Sequence, residues 1–186
     1  MVPRVGVAVS RGAARQPEFV RTYDALIHIF FGAHYLQSWF DPWEPRWYTG
    51  FFTISYPPLS HQLIAVLSVV VGLKAAFALV QLFAIALLVV GVYRVSSLLF
   101  PGRAAGYASL AAVVSSAIIE TVHVFGQLPT TLSMALLLNA IPWAWAYVRF
   151  GRRVDLLRAM AFTAATTGAH HITTIFGTVF SWCRSC

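Results

Sequence analysis

Charged side chains are scarce in this chain. They make up 10% of its 186 residues, and only six residues are acidic, whereas a soluble domain carries about 25% charged residues. Hydrophobic residues account for 59% of the sequence, which is more apolar surface than a single core of this size can hide. The composition therefore excludes an ordinary soluble domain and indicates that lipid is part of the solvent.

Cysteine is nearly absent as well. Cys183 and Cys186 stand in a C-x-x-C spacing close to the last residue of the sequence. That spacing binds zinc or carries redox chemistry only together with further ligands or a matching fold, and the sequence supplies neither. We interpret the pair as part of a chain end and predict no metal site there.

Basic residues exceed acidic ones, giving a formal net charge of +7. Such an excess is also found in nucleic-acid-binding proteins. Here, however, arginines occupy short loops between long apolar runs, which is typical of the cytoplasmic loops of membrane proteins. We therefore predict no nucleic-acid partner. The loop arginines are Arg94, Arg103, Arg149, Arg152, Arg153 and Arg158.

Four segments are long and apolar enough to cross a bilayer, for which a helix needs roughly 20 residues. Small residues are frequent in all four and allow close contacts between helices in lipid. The fourth is weaker, because it is rich in Thr, Gly and His. The segments run from about Ala75 to Phe100, Ala104 to Val122, Pro129 to Val148 and Leu156 to Phe180.

A fifth apolar stretch, Pro57 to Gly72, is short for a crossing at about 16 residues. If it does not cross, all six loop arginines lie on one side, and residues 24–128 leave only Arg46 and Lys74 on the other. The positive-inside rule then makes the arginine-rich side cytoplasmic. We therefore predict that residues 24–74 and 120–128 are external, with this stretch lying in the outer leaflet.

These observations predict an all-α polytopic membrane protein with about four transmembrane helices and amphipathic juxtamembrane helices in an external loop. We divide it into a polar basic segment 1–23, an external loop 24–74 and a transmembrane bundle 75–182. Four arginines in the first 21 residues fit poorly with export unless a transmembrane helix precedes them. Together with the abrupt end after an apolar helix, they suggest a fragment of a larger protein.

Polar residues with chemical potential fall mainly in the predicted external layer. Asp24 and His28 are spaced i, i+4 and share one helix face. Trp43 and Trp47 belong to an aromatic loop, which is either an interfacial anchor or part of a binding site.

Further along the chain, Glu120 and His123 close the second segment, where an acid is either functional or simply a solvated helix end. The His170-His171 pair is flanked by threonines. It is either a proton relay or, as we favour, an interhelical hydrogen-bond cluster.

Short acidic, aromatic and histidine motifs stand in a particular order along the sequence. They are Asp24-Ala25-x-x-His28, Arg46-Trp47, Gly50, Tyr56-Pro57-Pro58-Leu59, Glu120 and Ala169-His170-His171. In this order they resemble the bacterial "6-pyruvoyl-tetrahydropterin synthase-related" membrane domain. That family is in turn similar to the GT-C superfamily of lipid-phosphosugar glycosyltransferases, so the chain looks like a partial GT-C module.

The resemblance implies a catalytic acid in the external loop and a polyprenyl-phosphate sugar donor lying in the membrane. Asp24 matches the loop acid, and Glu120 falls where family members place a second external acid. Asp24 would act as a general base or hold a divalent cation, Mg²⁺ or Mn²⁺. The departures are the missing first helix and the absence of a paired acid beside Asp24.

The same resemblance implies the substrate-binding residues. Arg46 would meet the donor phosphate, and the aromatic residues of the loop would hold the sugar or the prenyl chain. The expected binding residues are His28, Trp43, Arg46, Trp47, Tyr56 and His123. We further expect Asp24 and Glu120 to share one polar cavity at the external face of the plasma (inner) membrane.

The alternative is a non-catalytic integral membrane component that binds lipid or a membrane-protein partner. A transporter is disfavoured, because the sequence shows neither internal repeats nor paired broken segments.

Overall fold

The computed structural model describes residues 21–53 and 56–183, and in this range the chain is all-α apart from one two-stranded hairpin. The prediction of an all-α protein is confirmed. Most of the basic segment 1–23, and Cys186, lie outside the described residues.

The hairpin and a first helix precede a series of long helices. The elements are α1 (Ala25–Gln37), β1 (Trp43–Glu44), β2 (Phe51–Phe52), α2 (Leu59–Val71), α3 (Leu73–Ser96), α4 (Gly102–Val113), α5 (Ser116–Ile119), a π-helical segment (Glu120–Phe125), α6 (Leu128–Phe150), α7 (Arg153–Ala169) and α8 (His171–Cys183).

Two helices, α3 and α6, are long and apolar enough to cross a membrane, with mean hydropathies of 2.6 and 1.3. They correspond to the first and third predicted segments. The second predicted segment is bent by 47° between α4 and the helix that starts at Ser116, and it counts as a third crossing only if both parts form one span. Ser115 has an extended backbone and its hydroxyl donates to the Ala112 carbonyl, an interaction that often bends helices.

The fourth predicted segment, Leu156 to Phe180, is not one helix. It breaks at His170, whose backbone is extended. Across the break, Thr167 Oγ1 lies 3.0 Å from Thr174 Oγ1, so α8 folds back beside α7. Thr173 Oγ1 lies 2.7 Å from Ser133 Oγ, which places the start of α8 against α6. The prediction of one continuous helix is therefore wrong, because apolar content alone does not reveal these contacts between hydroxyl groups.

The long helices α3 and α6 run in the same direction. Gly91 lies so close to Asn139 that a Cβ there would be 2.8 Å from Nδ2, and Arg94 donates to Asn139 Oδ1 over 3.0 Å. Both Arg94 and Arg158 of α7 stack on the ring of Trp143, at 4.7 and 4.5 Å. The ends of α3 and α6 therefore meet the start of α7 at one end of the bundle, which we call the arginine end.

The hairpin, α1 and α2 form a cap at the opposite end. His28 of α1 lies beside His61 of α2 and stacks on Phe77 of α3. Gly32 packs against Ile64, so α1 and α2 run side by side.

One end of α2 joins the start of α3, and its other end lies beside the end of α7. Gly72 joins α2 directly to α3, and a Cβ at Gly168 would lie 3.6 Å from Leu59 Cβ. Residues 24–74 and 120–128 are therefore at the same end of the bundle, as they must be if α2 does not cross a membrane.

Candidate functional site

A polar cavity of about 260 Å³ opens where the cap meets the bundle. It lies between the start of α1, the start of α6 and the break between α7 and α8. The lining residues are Asp24, His28, Tyr56, Gln127, Pro129, Thr130 and His170.

The backbone around Asp24 is fixed by the π-helical segment. The amides of Tyr23 and Asp24 donate to the carbonyls of Val124 and Phe125 over 3.1 and 2.8 Å. The chain then turns at Gly126, which has a φ of +70° and leaves no room for a Cβ against Thr22. A glycine is needed there both for the left-handed backbone and for the close approach.

The Asp24 carboxyl has no partner within the described part of the chain. Asp24 occupies the N-cap of α1, yet its side chain makes no capping hydrogen bond, although Asp at that position usually does. Burial raises the pKa of Asp24 above its usual value, with no opposing charge to lower it. The carboxyl is therefore free to interact with a molecule in the cavity.

His28 is held by a second histidine in the buried layer beneath the cavity. Its Nδ1 lies 3.1 Å from His61 Nε2, and both rings are at most 3% exposed. Burial lowers the pKa of His28 to about 4 and that of His61 to about 3. Both rings are therefore neutral at pH 7, and one proton lies between them.

The direction of that hydrogen bond decides what His28 offers to the cavity. His61 Nδ1 lies near the Pro57 carbonyl without making a hydrogen bond of good geometry. A carbonyl there favours a proton on His61 Nδ1, which makes His61 Nε2 the acceptor and His28 Nδ1 the donor. His28 Nε2, which has no partner among the described residues, is then an unprotonated acceptor.

Three of the expected binding residues lie in the hairpin region instead. Arg46 donates from Nε and NH2 to Glu44 over 2.7 and 2.5 Å, so its charge is already paired. Trp43 belongs to β1, with Phe52 opposite it, and Trp47 packs edge-on to Phe30. None of the three lines the polar cavity.

Glu120 is likewise outside the polar cavity, so the prediction that Asp24 and Glu120 share one cavity is not met. Asp24 is bonded to the end of the π-helical segment, whereas Glu120 stands exposed at its start. His123 lines a different, apolar cavity. The structure thus brings together Asp24, His28 and Tyr56 of the expected site residues.

Several polar residues in and around the cap were not among the predicted site residues. Gln127 and Thr130 line the cavity, His61 holds His28, and Glu44 is completely buried. Gln127, Thr130 and His61 share one signal, because each stands in or just before the first turn of an apolar helix, where a polar residue costs little to expose and is easily taken for a cap.

Among the described residues, the lining of the polar cavity does not supply the several oxygen ligands that a divalent cation prefers. Within residues 21–53 and 56–183, no three His, Cys, Asp or Glu side chains are grouped as metal ligands would be. Asp24 is the one carboxylate among the cavity residues, and hard cations prefer several oxygen ligands.

No protein-family model, curated protein or solved structure matches this chain.

Proposed function

We propose that this chain is a membrane glycosyltransferase-like protein whose polar cavity receives the sugar end of a polyprenyl-phosphate donor. The observation that carries the proposal is the unpaired Asp24 carboxyl beside the unpaired His28 Nε2. Unpaired polar groups in a cavity are rare in folded proteins and mark functional sites. The motif resemblance supplies the substrate class.

In this proposal α3, the bent α4–π unit, α6 and α7 cross the plasma membrane, and α8 turns back into it. The arginine end is cytoplasmic and the cap is external. At 17 residues, α7 is about 25 Å long, which nearly matches a hydrocarbon core of about 30 Å. Exposed aromatic side chains of the hairpin, such as Tyr48 and Phe52, anchor the cap at headgroup level.

The chemistry is a displacement at the anomeric carbon. An acceptor hydroxyl oxygen attacks that carbon while its bond to the phosphate oxygen breaks, and polyprenyl phosphate leaves. Asp24 takes the hydroxyl proton as general base, and its raised pKa makes it a stronger base than an ordinary Asp. His28 Nε2 accepts a hydrogen bond from a second hydroxyl and orients the substrate.

The donor phosphate is met by the start of α6 rather than by Arg46. Pro129 and Thr130 of the first turn of α6 line the cavity, and the N-terminal end of a long helix attracts anions. Tyr56 and Gln127 are available to hydrogen-bond sugar hydroxyls.

The second candidate is the non-catalytic component that binds lipid or a protein partner. One observation favours it: no arginine or lysine is among the cavity residues. Arg46, which was expected to bind the phosphate, is paired with Glu44 instead. A bound phosphate would then be held only by the start of α6 and by polar groups.

Sugar transfer separates the two candidates. Membranes containing the full-length protein are incubated with radiolabelled polyprenyl-phosphate sugars, and membranes without the protein serve as the control. The enzyme proposal predicts protein-dependent transfer of label to a second molecule. Label that binds but is never transferred, with any donor, supports the non-catalytic component.

Cysteine labelling tests the proposed topology. In a variant lacking the native cysteines, a single cysteine replaces Thr49 in the cap or Gly151 after α6, both of which are exposed. We expect an impermeant maleimide added to intact cells to label the first and not the second. Labelling of Gly151→Cys alone would reverse the orientation and refute an external cavity.

A further inference from the structure

A second cavity of about 480 Å³ lies between α3 and the π-helical segment. Its volume falls in the usual range for small-molecule sites. It shares no lining residue with the polar cavity. The residues around it are Thr22, Phe77, Ala78, Gln81, Leu82, Ile85, Val122 and His123.

Gln81 is the unusual member of this lining. It is 8% exposed, and neither its amide nitrogen nor its amide oxygen has a hydrogen-bond partner within the described residues. The Thr22 hydroxyl in the same lining is also buried and unpaired. Buried polar groups of native proteins are nearly always paired, so these atoms call for a ligand that supplies the partners.

The surroundings define the chemistry of that ligand. Most of the cavity wall is apolar, and it is built on α3, a helix long and apolar enough to cross a membrane. No lysine or arginine is among the lining residues, so a phosphate group would not be neutralised. The Gln81 amide offers a donor and an acceptor side by side, and a hydroxyl group can satisfy both at once.

We propose that this cavity binds a neutral membrane lipid through a hydroxyl group, which donates to Gln81 Oε1 and accepts from Gln81 Nε2, while the chain lies against Ala78, Leu82 and Ile85. The inference does not rest on the proposed sugar transfer, because the two cavities are separate. It adds a lipid site to the face of α3.

Photolabelling tests the hydroxyl contact. Purified full-length protein in lipid nanodiscs is exposed to a diazirine-bearing long-chain alcohol, and the labelled peptides are identified. We expect the wild type to be labelled on α3 or on the π-helical segment. Labelling should be at least about tenfold weaker in Gln81→Leu, because both hydrogen bonds are lost. In the matched variant Gln62→Leu on α2, labelling should be unchanged.

Stability distinguishes a ligand contact from a structural role. Gln81→Leu removes two unpaired buried polar atoms, so its unfolding midpoint in lipid-free detergent is expected to equal or exceed that of the wild type. A lower midpoint would assign Gln81 to the packing of the helices and overturn the proposal.

Filling the cavity provides an independent variant. Ala78→Phe places a ring in the cavity and is expected to abolish labelling, whereas Ala75→Phe, on an exposed position of the same helix, leaves it unchanged. Equal labelling of wild type, Gln81→Leu and Ala78→Phe would show only contact with bulk lipid and refute the site. Stronger labelling by a phosphate-bearing lipid probe than by the alcohol would also refute it.

Discussion

Glu44 and Asp24 are two acids of the same cap in opposite situations. Glu44 is completely buried, and its oxygens accept hydrogen bonds from the Arg46 backbone, the Arg46 guanidinium and His34 Nδ1. Asp24 is partly exposed to a cavity and accepts none within the described residues. The hydrogen bonds of Arg46 lower the pKa of Glu44 to about 2, whereas burial raises the pKa of Asp24.

The contrast distinguishes a paired acid from an unpaired one, which burial alone does not do. Both carboxylate oxygens of Glu44 accept hydrogen bonds. The other ring nitrogen of His34, Nε2, lies 2.9 Å from the Asp41 carbonyl oxygen. This cluster fixes the hairpin to α1. The Asp24 side chain makes no such link. The free-energy cost of partly burying an unpaired carboxyl group is therefore not offset by a hydrogen bond within the described residues.

The largest expected effect is the loss of sugar transfer in Asp24→Asn. The amide keeps the size of the side chain but cannot take a proton, so the rate should fall about 10²–10⁴-fold, while the unfolding midpoint stays unchanged. Transfer is measured per amount of folded protein. Asp41→Asn serves as the control, because Asn can still accept the hydrogen bond from the Trp43 amide.

Retention of more than about a tenth of the wild-type rate in Asp24→Asn would be too much for a missing general base. It would reassign Asp24 to structure and end the contrast with Glu44.

Glu44→Gln should have the reverse profile, with lower stability and nearly normal transfer per folded molecule. The substitution weakens charge-assisted hydrogen bonds worth about 1.5–3 kcal/mol, although the side chain of Arg46 is 38% exposed and water partly compensates. Denaturant unfolding in detergent measures the change. A transfer defect as large as that of Asp24→Asn, without loss of stability, would contradict the assignment.

Acid should destabilise the wild type through Glu44. Its folded-state pKa of about 2 lies below the ordinary value of 4.5, so its stabilising contribution is complete above pH 4.5 and is lost as the pH falls towards 2. We expect the difference in unfolding midpoint between wild type and Glu44→Gln to shrink over that window. A difference that stays constant from neutral pH down to pH 2 would refute the linkage.

The smallest effect is expected for Glu120→Gln. Glu120 is exposed and does not line the polar cavity, so transfer per folded molecule should change less than about twofold. The free energy of unfolding should change by no more than about 0.5 kcal/mol, as is usual for surface positions. The same transfer assay applies, and a loss comparable with that of Asp24→Asn would return Glu120 to the site.

The sequence predicted the all-α class and the extents of α3 and α6, because long apolar runs leave few alternatives in lipid. It also selected Asp24, His28 and Tyr56, which the fold brings together. The break at His170 was missed, since it depends on the contact of Thr167 with Thr174 across the turn and on that of Thr173 with Ser133 of α6, which is distant in sequence.

The roles of Arg46 and Glu120 could not be predicted either, because they also depend on contacts that the sequence does not reveal. Arg46 and Glu44 pair with each other, and motif order carries no information on which charges are already neutralised. Glu120 is the first residue of the π-helical segment, whereas the Asp24 amide donates to the carbonyl of its last residue. A sequence gives no sign of that helix type.

Carbodiimide modification compares the two acids directly. The reagent attacks protonated, accessible carboxyl groups, and an added amine then forms an amide that mass spectrometry locates. At mildly acidic pH, the folded protein is predicted to be modified at Asp24, whose pKa is raised and whose carboxyl is unpaired, and not at Glu44, whose pKa is lowered to about 2. Modification of Glu44 with Asp24 protected would contradict the account, because it would mean that Glu44 is the unpaired acid and Asp24 the paired one.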